Sequence, residues 1–456
     1  MAVTENLYLT GNCAPVPDET TAENLPVVGT IPAELEGRWL RNGPNPIGEV
    51  DPAIHHWFIG NAMVHGLRLR DGRAEWYRNR WVRGQRETEL LGEADPVGPQ
   101  RSEFGSAGPN TSVGGFAGKT WAMVEAGGVP MTLTYDLDTV AFDDFGGTLP
   151  NGFTAHPKYD PASRELHAVC YTWPDLVDHV EYVVVGADGV VTKVIDVPVP
   201  DMPMIHDMSL TQNYGLVYDL PVTVDIELAM QERFPFRWNP EHPARVGLLP
   251  RSADTADDIV WCDAPMQYVF HPVNAYDTDD GQVVVDVCSY DSIFEHDLNG
   301  PFGDATPTLD RWTIDPKARI TKTERIDDRF HEFPRHDPRV GTRRHRYGYT
   351  AGGPIEGSDL HGATYKTDYD TGQVTEHRHG PGRGGAEPIF VPKEDSSAED
   401  DGWLMVLVHD ANVDRSDLVI LDAQDFGGDE VARVELPRRV PHGFHGAWVP
   451  DSSVAP

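Results

Sequence analysis

Short runs rich in Val, Ile, Tyr and Trp recur along the whole chain, each bounded by turn residues, and this rhythm limits the fold more than any other feature. Residues 181–185, 282–288, 403–409 and 418–421 are clear cases. Asp71-Gly72, Asp188-Gly189, Asp280-Gly281, Thr371-Gly372 and Asp401-Gly402 sit between such runs. A two-residue hairpin loop needs left-handed backbone, which glycine adopts without steric cost, so these pairs predict tight antiparallel connections. Helical periodicity over a dozen residues is hard to find; residues 224–233 come nearest, which disfavours a parallel α/β sheet. Many evenly spaced hairpins in one chain imply an all-β fold, either a propeller or stacked sandwiches. No W-D or kelch-like period recurs, so repetition gives no blade count. Composition never shifts sharply enough to mark a linker. Residues 393–402 read as a short acidic loop inside one hairpin, and a single domain over residues 1–456 is the simplest organisation.

Charge and cysteine content narrow the function classes. The 456 residues hold 37 basic against 73 acidic side chains, a formal net charge of −36 with histidine neutral. Such a field repels phosphate backbones and argues against nucleic-acid partners. No stretch approaches the ~20 consecutive apolar residues of a spanning helix, and residues 1–10 lack the basic start and apolar core of a signal peptide, so a cytoplasmic location is expected. Cys13, Cys170, Cys262 and Cys288 are far apart and form no C-x-x-C pair. Neither a thiolate metal site nor a disulfide framework is expected, and the four read as buried small hydrophobes.

Of the 19 histidines, His55, His56, His331, His336, His345, His377 and His379 lie among charged or turn residues and read as solvated. Four stand in other contexts: His156 in Phe153-Thr154-Ala155-His156-Pro157, His206 in Met204-Ile205-His206-Asp207-Met208, His271 in Val269-Phe270-His271-Pro272-Val273, and His445 in Gly443-Phe444-His445-Gly446-Ala447. Each follows an apolar or small residue at the edge of a strand-like run, where a rigid scaffold can aim side chains at one point. The same contexts suit four unrelated core histidines, each hydrogen-bonded where it stands. No H-x-H, H-E-x-x-H or two-histidine-one-carboxylate spacing decides between the two readings.

These four segments, in this order, resemble the ligand-bearing segments of the carotenoid cleavage oxygenase family, which includes apocarotenoid, stilbene and retinoid-processing members. Arg41-Asn42-Gly43-Pro44-Asn45-Pro46, Asn79-Arg80-Trp81-Val82-Arg83 and Glu387-Pro388-Ile389-Phe390-Val391-Pro392 are similar to further family segments, and the similarity runs from about residue 7 to residue 450. The resemblance implies a seven-bladed β-propeller with a central Fe(II) on His156, His206, His271 and His445, under a cap of loops and short helices that covers a hydrophobic tunnel. It also implies three glutamates behind the ligands: Glu125 behind His206, Glu332 behind His271 and Glu387 behind His445. His156 is left without a carboxylate. An imidazole that donates its second N–H to a carboxylate is fixed in tautomer and orientation and becomes a better donor to a metal. Thr111 matches a residue whose methyl group narrows an otherwise open coordination position. The chain departs from the family's usual G-D-G-M-x-H at Gly60-Asn61-Ala62-Met63-Val64-His65. His65 is then structural, and His442 is excluded as a ligand.

The reaction the resemblance implies is cleavage of one C=C bond of a carotenoid or apocarotenoid by O2 into two carbonyl products. Stilbene cleavers of the family carry a lysine just before the first of the three glutamates, where it engages the substrate's phenolic oxygen. This chain has Val124 there, which favours a polyene. The alternatives are cleavage of the central double bond of a hydroxylated stilbene or phenylpropanoid, a retinoid-type isomerase on the same metal site, and a non-catalytic polyene-binding protein. Such substrates dissolve in membranes. Leu228, Met230, Phe234, Phe236 and Trp238 offer an apolar patch at a tunnel mouth for transient membrane contact, or else the packing face of a cap helix.

Overall fold

The computed structural model describes residues 6–99, 107–354 and 362–453, and the fold over them is all-β. Antiparallel meanders account for nearly all of it. Lys158–Tyr159, Leu166–Cys170, His179–Val185 and Val191–Pro198, for example, pair in chain order as one four-stranded sheet. Four of the five expected glycine turns close hairpins with left-handed backbone: Gly72, Gly189, Gly281 and Gly372 have φ of 68°, 77°, 84° and 72°. Gly402 differs. It opens the strand Gly402–Asp410 and pairs with Pro392, so residues 393–401 make the connection. Lys393 braces that loop, its ammonium 3.0 Å from Asp401, 3.1 Å from Asp422 and over the ring of Trp403.

Among the described residues five sheets of four or five strands stand separately, in place of the seven blades the resemblance implies. Eight further strands form a single sheet, because one parallel pair, Asp263 with Ile320, joins two four-stranded meanders edge to edge. A two-stranded ribbon, Val222–Val224 with Phe236–Trp238, stands apart.

The chain divides into two compact units. In the first (residues 1–124, 129–143 and 346–456), early and late segments share sheets: Gly446–Pro450 pairs with Gly37–Pro44, and Val27–Gly29 with Ala432–Glu435. Strand alternation sends Trp39, Leu67, Tyr77, Met405, Leu418 and Ile420 into one core cluster. In the second unit (residues 125–128 and 144–345), Val183, Val185, Leu216, Val246, Val285 and Trp312 are fully buried. Each such side chain withdrawn from water contributes about 2 kcal/mol.

Helices are few and short. Gln85–Leu91 ends at Gly92, which is left-handed with φ 69°. Ile226–Met230 starts at Asp225, whose carboxylate accepts the N–H of Glu227 and Leu228. The helical stretch expected over residues 224–233 shrinks to those five residues, since Glu232 turns left-handed at φ 55°. No helix among the described residues is long and apolar enough to cross a membrane. The four cysteines are buried. Burial pushes the thiols of Cys170 and Cys288 well above their usual range and that of Cys262 up to about 11.

Candidate metal centre

Three of the four singled-out histidines belong to the second unit. His206 stands two residues before the strand Met208–Leu210, His156 two residues before Lys158–Tyr159, and His271 inside Tyr268–Asp277. The register of that last strand shifts between Val269 and His271. Such a bulge re-aims the side chain beside it.

His206 Nδ1 meets Glu125 Oε1 at 2.7 Å, and His271 Nδ1 meets Glu332 Oε2 at 2.6 Å. An ionised carboxylate only accepts, so each Nδ1 carries the proton and each Nε2 is left with its lone pair. The two Nε2 atoms lie 3.2 Å apart. Facing lone pairs repel unless a cation or a shared proton relieves them, so this donor set fits a metal ion. Glu332 is held further by the Tyr290 hydroxyl, which donates at 3.0 Å, and by the backbone N–H of Phe333. Phe333 is left-handed at φ 51° and lays its ring over His271, centroids 5.4 Å apart. A non-glycine residue in that conformation costs roughly 1 kcal/mol, here at the residue that wedges the imidazole. Burial is the largest single influence on His206 and would lower its pKa, but the charge and hydrogen bond of Glu125 together with the charges of Asp207 and Glu332 outweigh it and leave the ring more basic than an ordinary histidine.

In the first unit, His445 Nδ1 meets Glu387 Oε1 at 2.8 Å, and Glu387 Oε2 accepts the Gly446 N–H at 2.8 Å. The backbone N–H of His445 donates to the carbonyl of Thr111 at 3.1 Å, and the Thr111 hydroxyl turns to Asn110 at 3.0 Å. One nitrogen from each of His156, His206, His271 and His445 lies within 4.8 Å of the others, and all four residues are buried. This buried cluster of neutral nitrogen donors can hold a metal ion.

His156 is the exception in its surroundings. Its Nδ1 lies 3.8 Å from Asp207 Oδ2, while Lys158 Nζ is 2.7 Å from each oxygen of that aspartate. Neither Asp207 nor Lys158 stands out in the sequence; closeness to His206 and His156 is the one signal that could single them out.

The histidines read as solvated are mostly buried. His55, His56, His331, His345, His377 and His379 are all inside, and His336 is half-buried. Protein groups replace water: His345 Nε2 is 3.1 Å from Asp286, His331 Nε2 is 3.3 Å from Asp327, and His377 Nδ1 donates to the carbonyl of Phe426 at 3.1 Å. Charged neighbours in a strand point to the opposite face, so they do not report on the histidine between them. His65 rests on the Tyr77 hydroxyl at 2.8 Å and His442 stacks on Trp57; neither joins the cluster. The five residues of the apolar patch do not share one open face. Leu228 and Phe236 are buried, Phe234 packs on Phe236 and Phe294, Trp238 is half-buried, and Met230 is 81% exposed.

Comparison with known proteins places the chain in a family. The family model described as retinal pigment epithelial membrane protein matches residues 13–450. A carotenoid cleavage oxygenase of Mycobacterium tuberculosis is 44% identical over 98% of this chain and 98% of its own. Among solved structures, the cobalt-substituted apocarotenoid oxygenase of Synechocystis superposes with a TM-score of 0.83 at 28% identity, covering 96% of this chain and 97% of the other. The lignostilbene dioxygenase of Pseudomonas brassicacearum gives a TM-score of 0.88 at 25% identity, covering 99% and 100%. The likeness assigns a propeller-like arrangement to the sheets. With a family match from residue 13 to residue 450 and a relative similar along nearly its full length, the chain belongs to the carotenoid cleavage oxygenase family.

Proposed function

We propose that the protein is an Fe(II)-dependent dioxygenase that cleaves one C=C bond of a carotenoid or apocarotenoid with O2 to give two carbonyl products, with His156, His206, His271 and His445 as metal ligands. The observation that carries this reading is the pair of facing lone pairs on His206 and His271, each ring locked from behind by a glutamate. Four neutral imidazoles leave the charge of a bound iron uncompensated among its ligands, which favours the ferrous state. When bound, iron supplies the O2 chemistry that side chains cannot. The protein's part is to orient the ligands through Glu125, Glu332 and Glu387, to narrow the open position with the Thr111 methyl, and to hold one double bond in place in a tunnel that excludes water. The family match spans both compact units, which supports one functional domain over residues 1–456.

Two substrate classes are represented among the relatives, carotenoid in the name of the Mycobacterium protein and lignostilbene in that of the Pseudomonas structure. Val124 favours the first. It directly precedes Glu125 and brings no cation to stabilise a developing phenolate. The partners in this reading are a hydrophobic small molecule and O2, with no nucleic acid, in a cytoplasmic protein. Of the patch, Met230 is the residue left open to a bilayer surface.

Mass spectrometry of the products formed in air by the iron-loaded protein, from an apocarotenal and separately from a hydroxylated stilbene, tests the reading. Shortened polyene aldehydes are expected. Aromatic aldehydes alone would replace it with stilbene cleavage, a product keeping every carbon would mean an isomerase, and polyene binding without turnover would mean a carrier.

A further inference from the structure

The Nε2 atoms of His206 and His271 face each other across 3.2 Å, but different kinds of backbone carry the two rings. His271 lies inside the strand Tyr268–Asp277, while residues 204–207 belong to no strand. The ladder fixes the first ring; the second depends on what grips its irregular segment. The Met204 N–H donates to the Val222 carbonyl at 2.8 Å, and the Met204 carbonyl accepts the hydroxyl of Tyr268 at 2.9 Å. Burial, and then the charge of Glu125, push this phenol well above its usual range, so it keeps the proton it donates, and the backbone N–H of His206 faces the same oxygen. Phe270, on the same face of the strand, packs on Tyr268 with centroids 4.9 Å apart and meets the His206 ring at 5.0 Å and 90°. The register shift between Val269 and His271 then re-aims the next side chain. One strand thus carries His271 together with the two groups that hold the backbone and the ring of His206.

We propose that Tyr268 is a positioning residue of the metal centre, which together with Phe270 sets the distance and angle between His206 and His271; this rests on the four-histidine metal reading above. Glu125 fixes the tautomer and rotation of the His206 ring through Nδ1. It does not hold the backbone from which that ring hangs. The Tyr268 hydroxyl does, through the Met204 carbonyl, and it ties that backbone to the strand that bears the other ligand. A metal site accepts donor distances only to within roughly 0.2 Å, so a small slide of the His206 segment is felt as lost affinity and altered coordination.

The test uses the full chain and two readouts other than turnover: Co(II) affinity by chelator competition, and the visible absorption spectrum of bound Co(II), which reports ligand geometry. Tyr268→Phe removes the hydroxyl and keeps the ring, so Co(II) binds about ten-fold weaker and its spectrum shifts. Tyr182→Phe is the control. The Tyr182 hydroxyl is as deeply buried in the same unit and meets His167 Nδ1 at 2.7 Å, outside the histidine cluster. Its loss lowers the urea midpoint to a similar extent while Co(II) affinity and spectrum stay at the wild-type values. An unchanged spectrum in Tyr268→Phe overturns the proposal, as does an equal loss of affinity in Tyr182→Phe, which would mean a general loss of stability. If Tyr268→Phe does not fold, Phe270→Leu decides alone: a shifted Co(II) spectrum supports the proposal, and the wild-type spectrum overturns it. A wild-type chain that takes up no Co(II) overturns the metal reading itself, and this proposal with it.

Discussion

Asn61 donates its side-chain amide to Glu87 Oε1 at 2.6 Å, inside the turn where this chain departs from its family's G-D-G-M pattern. Glu87 is fully buried in the helix Gln85–Leu91, and its other oxygen accepts the Gly108 N–H at 2.7 Å. The Asn61 side-chain oxygen Oδ1 accepts the Ile47 N–H at 3.0 Å. Asparagine therefore serves both neighbours at once, as acceptor for Ile47 and donor to Glu87. An aspartate, the family's usual residue, could only accept, and would place a second carboxylate against the first.

Asn61→Asp is expected to destabilise the fold by about 3 kcal/mol, the scale of a buried charge left without its partner. Adding Glu87→Gln restores a donor opposite the new carboxylate and should recover most of the loss. Urea unfolding of the single and double variants checks this; equal instability of the two would sink it.

Glu332→Gln should weaken metal binding about 10- to 100-fold while leaving the fold intact, because His271 keeps a neighbour of the same shape but loses the negative charge at Nδ1. Tyr290→Phe, which removes the second donor to Glu332, should move the affinity in the opposite direction and by less. Titration of each variant with Co(II) measures both.

Acid should undo the protein through its buried histidines. Burial, aided by Arg41 and other nearby arginines, brings His65 down to about 3; burial and Arg251 bring His167 to about 3, and burial and His377 bring His379 to about 3. These rings are neutral in the fold and take up a proton near pH 6.5 when unfolded. Their contribution is complete above pH 6.5 and is lost as pH falls from there toward 3, by up to about 1.4 kcal/mol per pH unit for each. His242, between Asp201 and Asp219 at 2.9 and 2.7 Å, runs the other way: its raised pKa adds stability below pH 6.5 that fades as pH rises. His206 is raised as well, but His55, lowered to about 4, and His336, lowered to about 3, join the first group, so the net slope is downward on acidification. Denaturant midpoints at pH 7.5, 6 and 5 should fall in that order, and a flat series would refute the assignment.

A net charge of −36 makes the compact state repel itself. Raising ionic strength from 0.01 to 0.15 M shortens the screening length from about 30 to about 8 Å, so the thermal midpoint should rise with salt. Sodium chloride at fixed pH is the measurement, and a falling midpoint would show that ion pairs such as Lys158–Asp207 outweigh the repulsion.

Much of the architecture is legible in the sequence, for physical reasons that also mark where legibility stops. Gly72, Gly189, Gly281 and Gly372 announce their turns because left-handed backbone is what glycine is for; Gly402, at ordinary backbone angles, follows a longer loop that the same dipeptide pattern misplaces. The number of separate sheets is hidden, since a single contact between Asp263 and Ile320 merges two meanders and no side-chain pattern announces it. Glu125 and His206 are 81 residues apart, so no periodicity relates them, and only the family resemblance pairs them in advance. Asp207 and Lys158 read as ordinary strand-edge charges. Their 2.7 Å contact beside His156 is a property of packing and has no local signature.

The buried thiols give the molecule an internal clock. Only a thiolate attacks an alkylating reagent, and with Cys170, Cys262 and Cys288 enclosed and protonated, the folded chain should resist modification. Each sulfur becomes reactive when its own segment opens, so the order of alkylation records the order of opening. Cys13 lies in the first unit and the other three in the second, which lets one reagent time the two halves separately.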